Sequence, residues 1–148
     1  MRYQMSTPVG RISIVEEHGC IKELLPSRFG DDSTYEKSSL GKRLKAALDA
    51  YFEGDKEALQ GIPVDPEGTD FQKQVWSELR EIPAGKTITY TEMANRLGRE
   101  RASRAVGTAC GRNPILFLVP CHRVVAKEGL GGFLMGLDVK KKLLNLES

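Results

Sequence analysis

The stretch NPILFLVPCHRVV, residues 113–125, is the part of the sequence around which the rest is organised. Five apolar residues and Pro120 come directly before Cys121 and His122. This pattern predicts a thiol buried in an apolar wall. Because burial raises the pKa of a thiol, a reactive Cys121 needs a neighbour that takes its proton, and His122 is a candidate. The alternative is that Cys121 is only a small buried apolar side chain.

The composition indicates a globular protein with one core or two small ones in its 148 residues. No apolar run approaches the roughly 20 residues that span a bilayer, and residues 1–6 lack the apolar core of a signal peptide. Three cysteines without paired spacing argue against a disulfide framework and fit a reducing compartment. We therefore expect an intracellular, cytoplasmic protein without a membrane partner.

Positive charge is concentrated in one segment, although the net charge is only +2. Residues 96–123 contain six arginines and a single acid, Glu100. The arginines are Arg96, Arg99, Arg101, Arg104, Arg112 and Arg123. They could form a solvated helix surface, but an arginine cluster upstream of a reactive cysteine also suits a partner that carries phosphates.

The first part of the chain predicts a small sheet followed by a helix. Short strands are expected over 2–5, 11–15 and 20–24 as an antiparallel meander, then a polar loop over 26–39 and a helix over 40–52. We interpret His18 and Cys20 as structural. Two prolines and two glycines in residues 61–68 indicate a domain junction, which gives domains 1–63 and 64–148.

The second part predicts helices. Thr69 and Gln72 have the spacing of a capping box, and Trp76 falls on the apolar face of the helix that follows. Two short helices, over 89–98 and 103–110, suggest a helix-turn-helix. The lysines of a last helix over 138–148 are most simply a solvated face. The glycine-rich turn over 126–133 is too irregular for a phosphate loop.

The second helix of the pair is rich in small side chains. Ala105, Gly107 and Thr108 are too short to read base edges in the major groove. Small residues permit a close approach to the minor groove, which a neighbouring Arg104 could enter. They would equally permit tight helix packing, and the sequence leaves both interpretations open.

The string Pro120-Cys121-His122-Arg123-Val124 resembles the active-site signature of the O6-alkylguanine-DNA alkyltransferases, also called methylated-DNA–protein-cysteine methyltransferases. The resemblance extends over 71–90 and over the ending 140–147. It implies an α+β fold, with a ribonuclease H-like N-terminal domain and a winged-helix-like C-terminal domain. It also implies direct DNA repair by a monomer that acts once, without cofactor or metal, on double-stranded DNA carrying O6-alkylguanine or O4-alkylthymine.

The resemblance further implies a role for each matched residue. Cys121 would accept the alkyl group, His122 would remove its proton through a water, and Glu147 would orient His122. Tyr90 would donate to the purine, and Asn113 would join the helical motifs. The implied DNA contacts are Tyr90, Ser103, Arg104, Ala105, Gly107, Thr108, Arg112 and Arg123. The implied pocket residues are Cys110, Val124, Gly131, Gly132, Phe133, Leu134 and Lys140.

Two departures from the family pattern leave the preferred alkyl size open. Leu134 stands where many members have a polar residue, and Leu116 replaces a common proline. Two other functions compete with alkyl transfer. One is a DNA-damage sensor or helix-turn-helix regulator that transfers nothing. The other is a thiol hydrolase, which is disfavoured because adjacent side chains on an extended segment point in different directions.

Overall fold

The computed structural model describes residues 1–27 and 35–148. The chain forms two compact units, Met1–Glu67 with Pro114–Leu118, and Gly68–Asn113 with Val119–Ser148. Part of the predicted loop, residues 28–34, lies outside the described residues. In the described part, no helix has the length and apolar character needed to cross a membrane.

The first unit contains the predicted antiparallel meander, and the three predicted strands are confirmed. Its elements are β1 (Arg2–Thr7), β2 (Gly10–Glu17), β3 (Cys20–Pro26) and α1 (Ser39–Phe52). One face of the sheet is buried, as alternation of apolar and polar side chains dictates. Residues 115–118 of the apolar run before the cysteine belong to this unit. Leu24 donates to the carbonyl of Pro114 over 2.8 Å and accepts from Leu116 over 3.0 Å.

The second unit consists of four helices and two short paired strands. Its elements are α2 (Asp70–Leu79), β4 (Ile88–Thr89), α3 (Tyr90–Arg96), α4 (Ser103–Gly111), β5 (Val124–Val125) and α5 (Leu137–Glu147). Together the described residues give a mixed α/β protein with a small antiparallel sheet and five α-helices.

Side-chain caps and one buried tryptophan fix the helices of this unit. The predicted capping box of Thr69 and Gln72 is confirmed at the start of α2. Trp76 is buried as predicted, and its indole N–H donates to the carbonyl of Ala109 over 2.9 Å. This bond ties α2 to α4 at a point where an unpaired buried donor would be costly.

The pairing of β4 with β5 brings α3 towards the cysteine segment. Ile88 lies opposite Val124 in a parallel register, and Thr89 lies opposite Val125. Tyr90 follows β4 directly, and Cys121 precedes β5 by three residues in a short 3₁₀ turn. The first residue of α3 is therefore held beside the segment that contains the cysteine.

Candidate functional site

A cavity of about 320 Å³ in the second unit contains the cysteine singled out by the sequence. It is lined by Tyr90, Gly107, Cys110, Gly111, Cys121, Gly132, Phe133 and Leu134. The lining thus joins α3, α4, the 3₁₀ turn at Cys121 and the glycine-rich turn. Of the seven predicted pocket residues, it contains Cys110, Gly132, Phe133 and Leu134.

Cys121 is buried, and burial raises the pKa of its thiol above the ordinary value. Three interactions oppose this effect and favour the thiolate: a hydrogen bond from the Asn113 side chain, the positive charge of Lys140 and a backbone hydrogen bond. Asn113 also donates to the carbonyl of Val119 over 2.7 Å, which holds the chain just before the cysteine. Cys110 shares the cavity, but burial raises its pKa to about 12, so it stays a neutral thiol.

His122 is fully buried and is paired with the last helix. Its Nε2 atom lies 2.7 Å from Oε2 of Glu147, and the Nδ1 atom is buried without a hydrogen-bond partner among the described residues. Burial lowers the pKa of His122 below its usual 6.5, although Glu147 acts in the opposite direction. The neutral imidazole therefore carries its proton on Nε2, and the lone pair of Nδ1 is available to accept one.

Arg123 belongs to this buried cluster. Its role as a DNA contact, which the resemblance implies, stays a prediction; in the structure its guanidinium is bound within the unit. Nε donates to Oε1 of Glu147 over 2.9 Å, Nη2 to Oε2 over 3.0 Å and Nη1 to the carbonyl of Ile82 over 2.7 Å. This paired arrangement holds the carboxylate of Glu147 in place opposite His122.

Lys140 is also placed differently from the predicted solvated face. The exposed Lys141 and Lys142 fit that prediction, but Lys140 is 0% exposed. Its ammonium donates to the carbonyl of Val124 over 2.7 Å and to the carbonyl of Gly132 over 3.0 Å. Burial lowers the pKa of Lys140, whereas the two thiols raise it. The lysine therefore joins α5 to the cysteine segment and to the glycine-rich turn.

Val124, Gly131 and Lys140, the other three predicted pocket residues, are absent from the lining. Val124 is fully buried, and its carbonyl accepts from Lys140. Gly131 has a φ of +74°, and a Cβ at this position would lie 2.6 Å from the hydroxyl oxygen of Tyr90. Only glycine adopts this positive φ without strain and leaves room for the Tyr90 hydroxyl.

The Tyr90 hydroxyl is positioned by the same turn. The backbone N–H of Gly132 donates to it over 3.3 Å, so the hydroxyl accepts one hydrogen bond and keeps its own proton for donation. Burial raises the pKa of Tyr90, while the Gly132 hydrogen bond lowers it. The phenol is therefore a neutral donor at the edge of the cavity.

A second, more open groove of about 520 Å³ runs along α4. It is lined by Thr89, Tyr90, Thr91, Ser103, Arg104, Gly107, Thr108, Ala126 and Lys127. Tyr90 and Gly107 line both the groove and the cavity. Arg104 and Ala105 are exposed, as is Arg112 at the end of α4. Sequence reasoning missed Lys127, for which a charge in a turn was the only signal.

The fold and the site together define a class of protein: a mixed α/β protein in which an open groove along α4 adjoins a cavity lined by a cysteine. The family model for the DNA-binding domain of 6-O-methylguanine DNA methyltransferase matches residues 70–148. The chain therefore belongs to the methylated-DNA–protein-cysteine methyltransferase family.

Curated relatives and solved structures agree with this assignment. The chain is 48% identical over 117 residues to the methylated-DNA–protein-cysteine methyltransferase of Methanosarcina acetivorans, covering 78% of this chain and 74% of the relative. It is 38% identical over 147 residues to that of Haemophilus influenzae, covering 95% and 82%. The structure is similar to Mycobacterium tuberculosis OGT in complex with DNA, with a TM-score of 0.84, 33% identity and coverage of 99% and 91%.

Proposed function

We propose that this protein repairs DNA by moving the alkyl group from O6 of guanine to the sulfur of Cys121. The observation that carries the proposal is the cavity that Cys121 lines, together with the buried His122–Glu147 pair behind it. A thiolate is the side-chain nucleophile best suited to attack an alkyl carbon. Family membership supports the same chemistry.

The proposed reaction is a single displacement with balanced proton transfers. The Cys121 proton passes through a water to Nδ1 of His122, and the thiolate attacks the alkyl carbon. An S–C bond forms as the C–O bond breaks, and the electron pair stays with the guanine. Tyr90 donates a proton to the purine, and the proton held by His122 restores the phenol. The thioether is not hydrolysed, so each molecule acts once and needs neither cofactor nor metal.

The proposed DNA complex follows from the groove along α4. We place α4 in the minor groove of double-stranded DNA, where Arg104 occupies the space left by the flipped nucleotide. Flipping costs a few kcal/mol, which the inserted arginine helps to offset. Ser103, Gly107 and Thr108 allow the backbone to approach the DNA closely, because they line the groove with small side chains. Ala105 and Arg112 are further proposed contacts.

Several finer assignments belong to the same proposal. The predicted domains, residues 1–63 and 64–148, are assigned a ribonuclease H-like and a winged-helix-like fold, with residues 64–67 and 114–118 belonging to the first compact unit. The protein acts as a monomer in the cytoplasm, and it also accepts O4-alkylthymine. These assignments are what the resemblance of the sequence signatures implies.

Peptide mapping tests the proposed function. After incubation with a duplex that contains O6-methylguanine, we expect one methyl group on the peptide that contains Cys121. The variant Cys121→Ala should bind the duplex and transfer nothing, and Cys110→Ala should still be methylated. Binding without any transfer would instead indicate a damage sensor. A methyl group on Cys110 or Cys20 would assign a different nucleophile.

A further inference from the structure

An exposed leucine forms part of the cavity wall. Among the described residues, the exposed large apolar side chains are Met1, Leu134 and Leu137. Leu134 is 57% exposed and lines the cavity together with Cys121. Leu137 is 49% exposed and is absent from that lining. Single exposed leucines are ordinary, but one in the wall beside a nucleophile can contact whatever that nucleophile attacks.

The backbone around Leu134 is held on both sides. Gly136 donates its N–H to the carbonyl of Phe133 over 3.0 Å, which closes a turn around Leu134. Just before this turn, Gly132 accepts from the ammonium of Lys140 and donates to the hydroxyl of Tyr90. The leucine is therefore presented to the cavity by a fixed turn.

The part of the cavity wall that contains Leu134 is mostly apolar. Among the described residues of the lining, Tyr90 alone carries a side-chain hydroxyl, and Phe133 and Leu134 follow each other as hydrocarbon surface. Phe133 packs edge-on against the His122 ring, with 6.3 Å between ring centroids. An alkyl group that approaches Cys121 thus meets hydrocarbon, and apolar contact grows with the size of the group.

We propose that Leu134 sets the alkyl-size preference of this protein, so that larger apolar O6 substituents such as benzyl are favoured relative to methyl. This inference rests on the proposed function and specifies its substrate class. Leu134 contacts the O6 substituent during the transfer step, because the substituent then lies between the guanine oxygen and the sulfur of Cys121. Leu134 is accordingly a specificity-determining residue, and it holds no proton in the reaction.

The test compares two duplexes that differ only in the O6 substituent, methyl or benzyl. Single-turnover rate constants are measured for the wild type, Leu134→Ala, Leu134→Ser and the control Leu137→Ala. Removing apolar contact from a pocket changes discrimination by roughly tenfold or more. We expect the benzyl-to-methyl rate ratio to fall by roughly tenfold in Leu134→Ala, to fall at least as far in Leu134→Ser, and to stay unchanged in Leu137→Ala.

The outcomes separate this inference from the proposed function. Transfer to Cys121 in the wild type with an unchanged ratio in Leu134→Ala overturns the role of Leu134 alone. An equal fall of the ratio in Leu137→Ala also overturns it, since that side chain lies outside the lining. A wild type that transfers no alkyl group from either duplex overturns the proposed function. Thermal unfolding of each variant shows whether the variant is folded.

Discussion

Nε2 of His122 lies 2.7 Å from Oε2 of Glu147, and both side chains are buried. Because Arg123 also donates to both carboxylate oxygens, Glu147 is held as an acceptor in a fixed orientation. The imidazole must then donate from Nε2 and accept at Nδ1. A residue near the C-terminus thus determines which nitrogen of His122 can act as the base.

The lowered pKa of His122 predicts how activity depends on pH. The imidazole stays neutral down to pH values below its ordinary 6.5, so transfer from free O6-benzylguanine should remain level to about that value and fall only below it. The rate of alkyl transfer is measured at a series of pH values from 8 to 5. A midpoint at or above 6.5 would contradict the buried, neutral base.

The lowered pKa of His122 also predicts that the stability of the protein depends on pH. In the unfolded chain His122 binds a proton near its ordinary pKa of 6.5, but in the folded protein only at lower pH. The stability it contributes is therefore complete above that value and is lost as the pH falls towards the folded pKa. Denaturant titrations should show a loss of about 1.4 kcal/mol per pH unit within that window. No dependence there would count against a depressed pKa.

Lys140 is predicted to assist the thiolate through its charge. Lys140→Met removes the positive charge that lowers the Cys121 pKa and also the two hydrogen bonds to backbone carbonyls. We expect alkylation of Cys121 by iodoacetamide to be roughly tenfold slower at neutral pH, with its profile moved to higher pH. Lys141→Met, at the exposed neighbour, is the matched control. A slower rate without any movement of the profile would mean that Lys140 has only a structural role.

Arg104 is predicted to matter for duplex DNA only. Arg104→Ala should slow repair of O6-methylguanine in a duplex by roughly a hundredfold, because flipping costs a few kcal/mol, and should leave the reaction with free O6-benzylguanine unchanged. Arg2→Ala removes the same charge from an exposed position in β1 and serves as control. Equal losses on duplex and free base would show that Arg104 stabilises the fold and does not assist flipping.

Gly131 is predicted to be required for the position of Tyr90. Gly131→Ala adds a Cβ 2.6 Å from the Tyr90 hydroxyl at a φ of +74°. We expect roughly tenfold slower transfer from both duplex and free base, because the phenol is displaced. Gly129→Ala, whose Cβ would meet no described residue within 4 Å beyond its two chain neighbours, should react as the wild type. Wild-type rates in Gly131→Ala would show that the hydroxyl position is unimportant.

Local sequence signals predicted most of the fold. The three strands of the meander follow from turn residues and alternation, and the capping box at Thr69 and Gln72 follows from spacing alone. An equivalent box at Thr89 and Glu92 starts α3, and the same spacing rule applies to it. These features depend on residues within a few positions of each other.

The features that sequence did not predict depend on distant partners. Lys140 is buried because carbonyls of Val124 and Gly132 accept from it, and no local pattern distinguishes it from Lys141. The guanidinium of Arg123 donates to the carboxylate of Glu147, which is 24 residues further along the chain. Charge indicated a solvated face for the lysines of the last helix, although the resemblance placed Lys140 among the pocket residues. For the arginine cluster that includes Arg123, charge left a solvated surface and a phosphate-bearing partner both open.

Single-turnover transfer to Cys121 is tested by a titration of repair against protein. A fixed amount of this protein is incubated with excess duplex carrying a labelled methyl group on O6 of guanine, and protein-bound label is counted after the reaction ends. We expect a plateau at one methyl group per protein molecule, all of it on Cys121. Repair that continues beyond one lesion per molecule, or label on another residue, would contradict it.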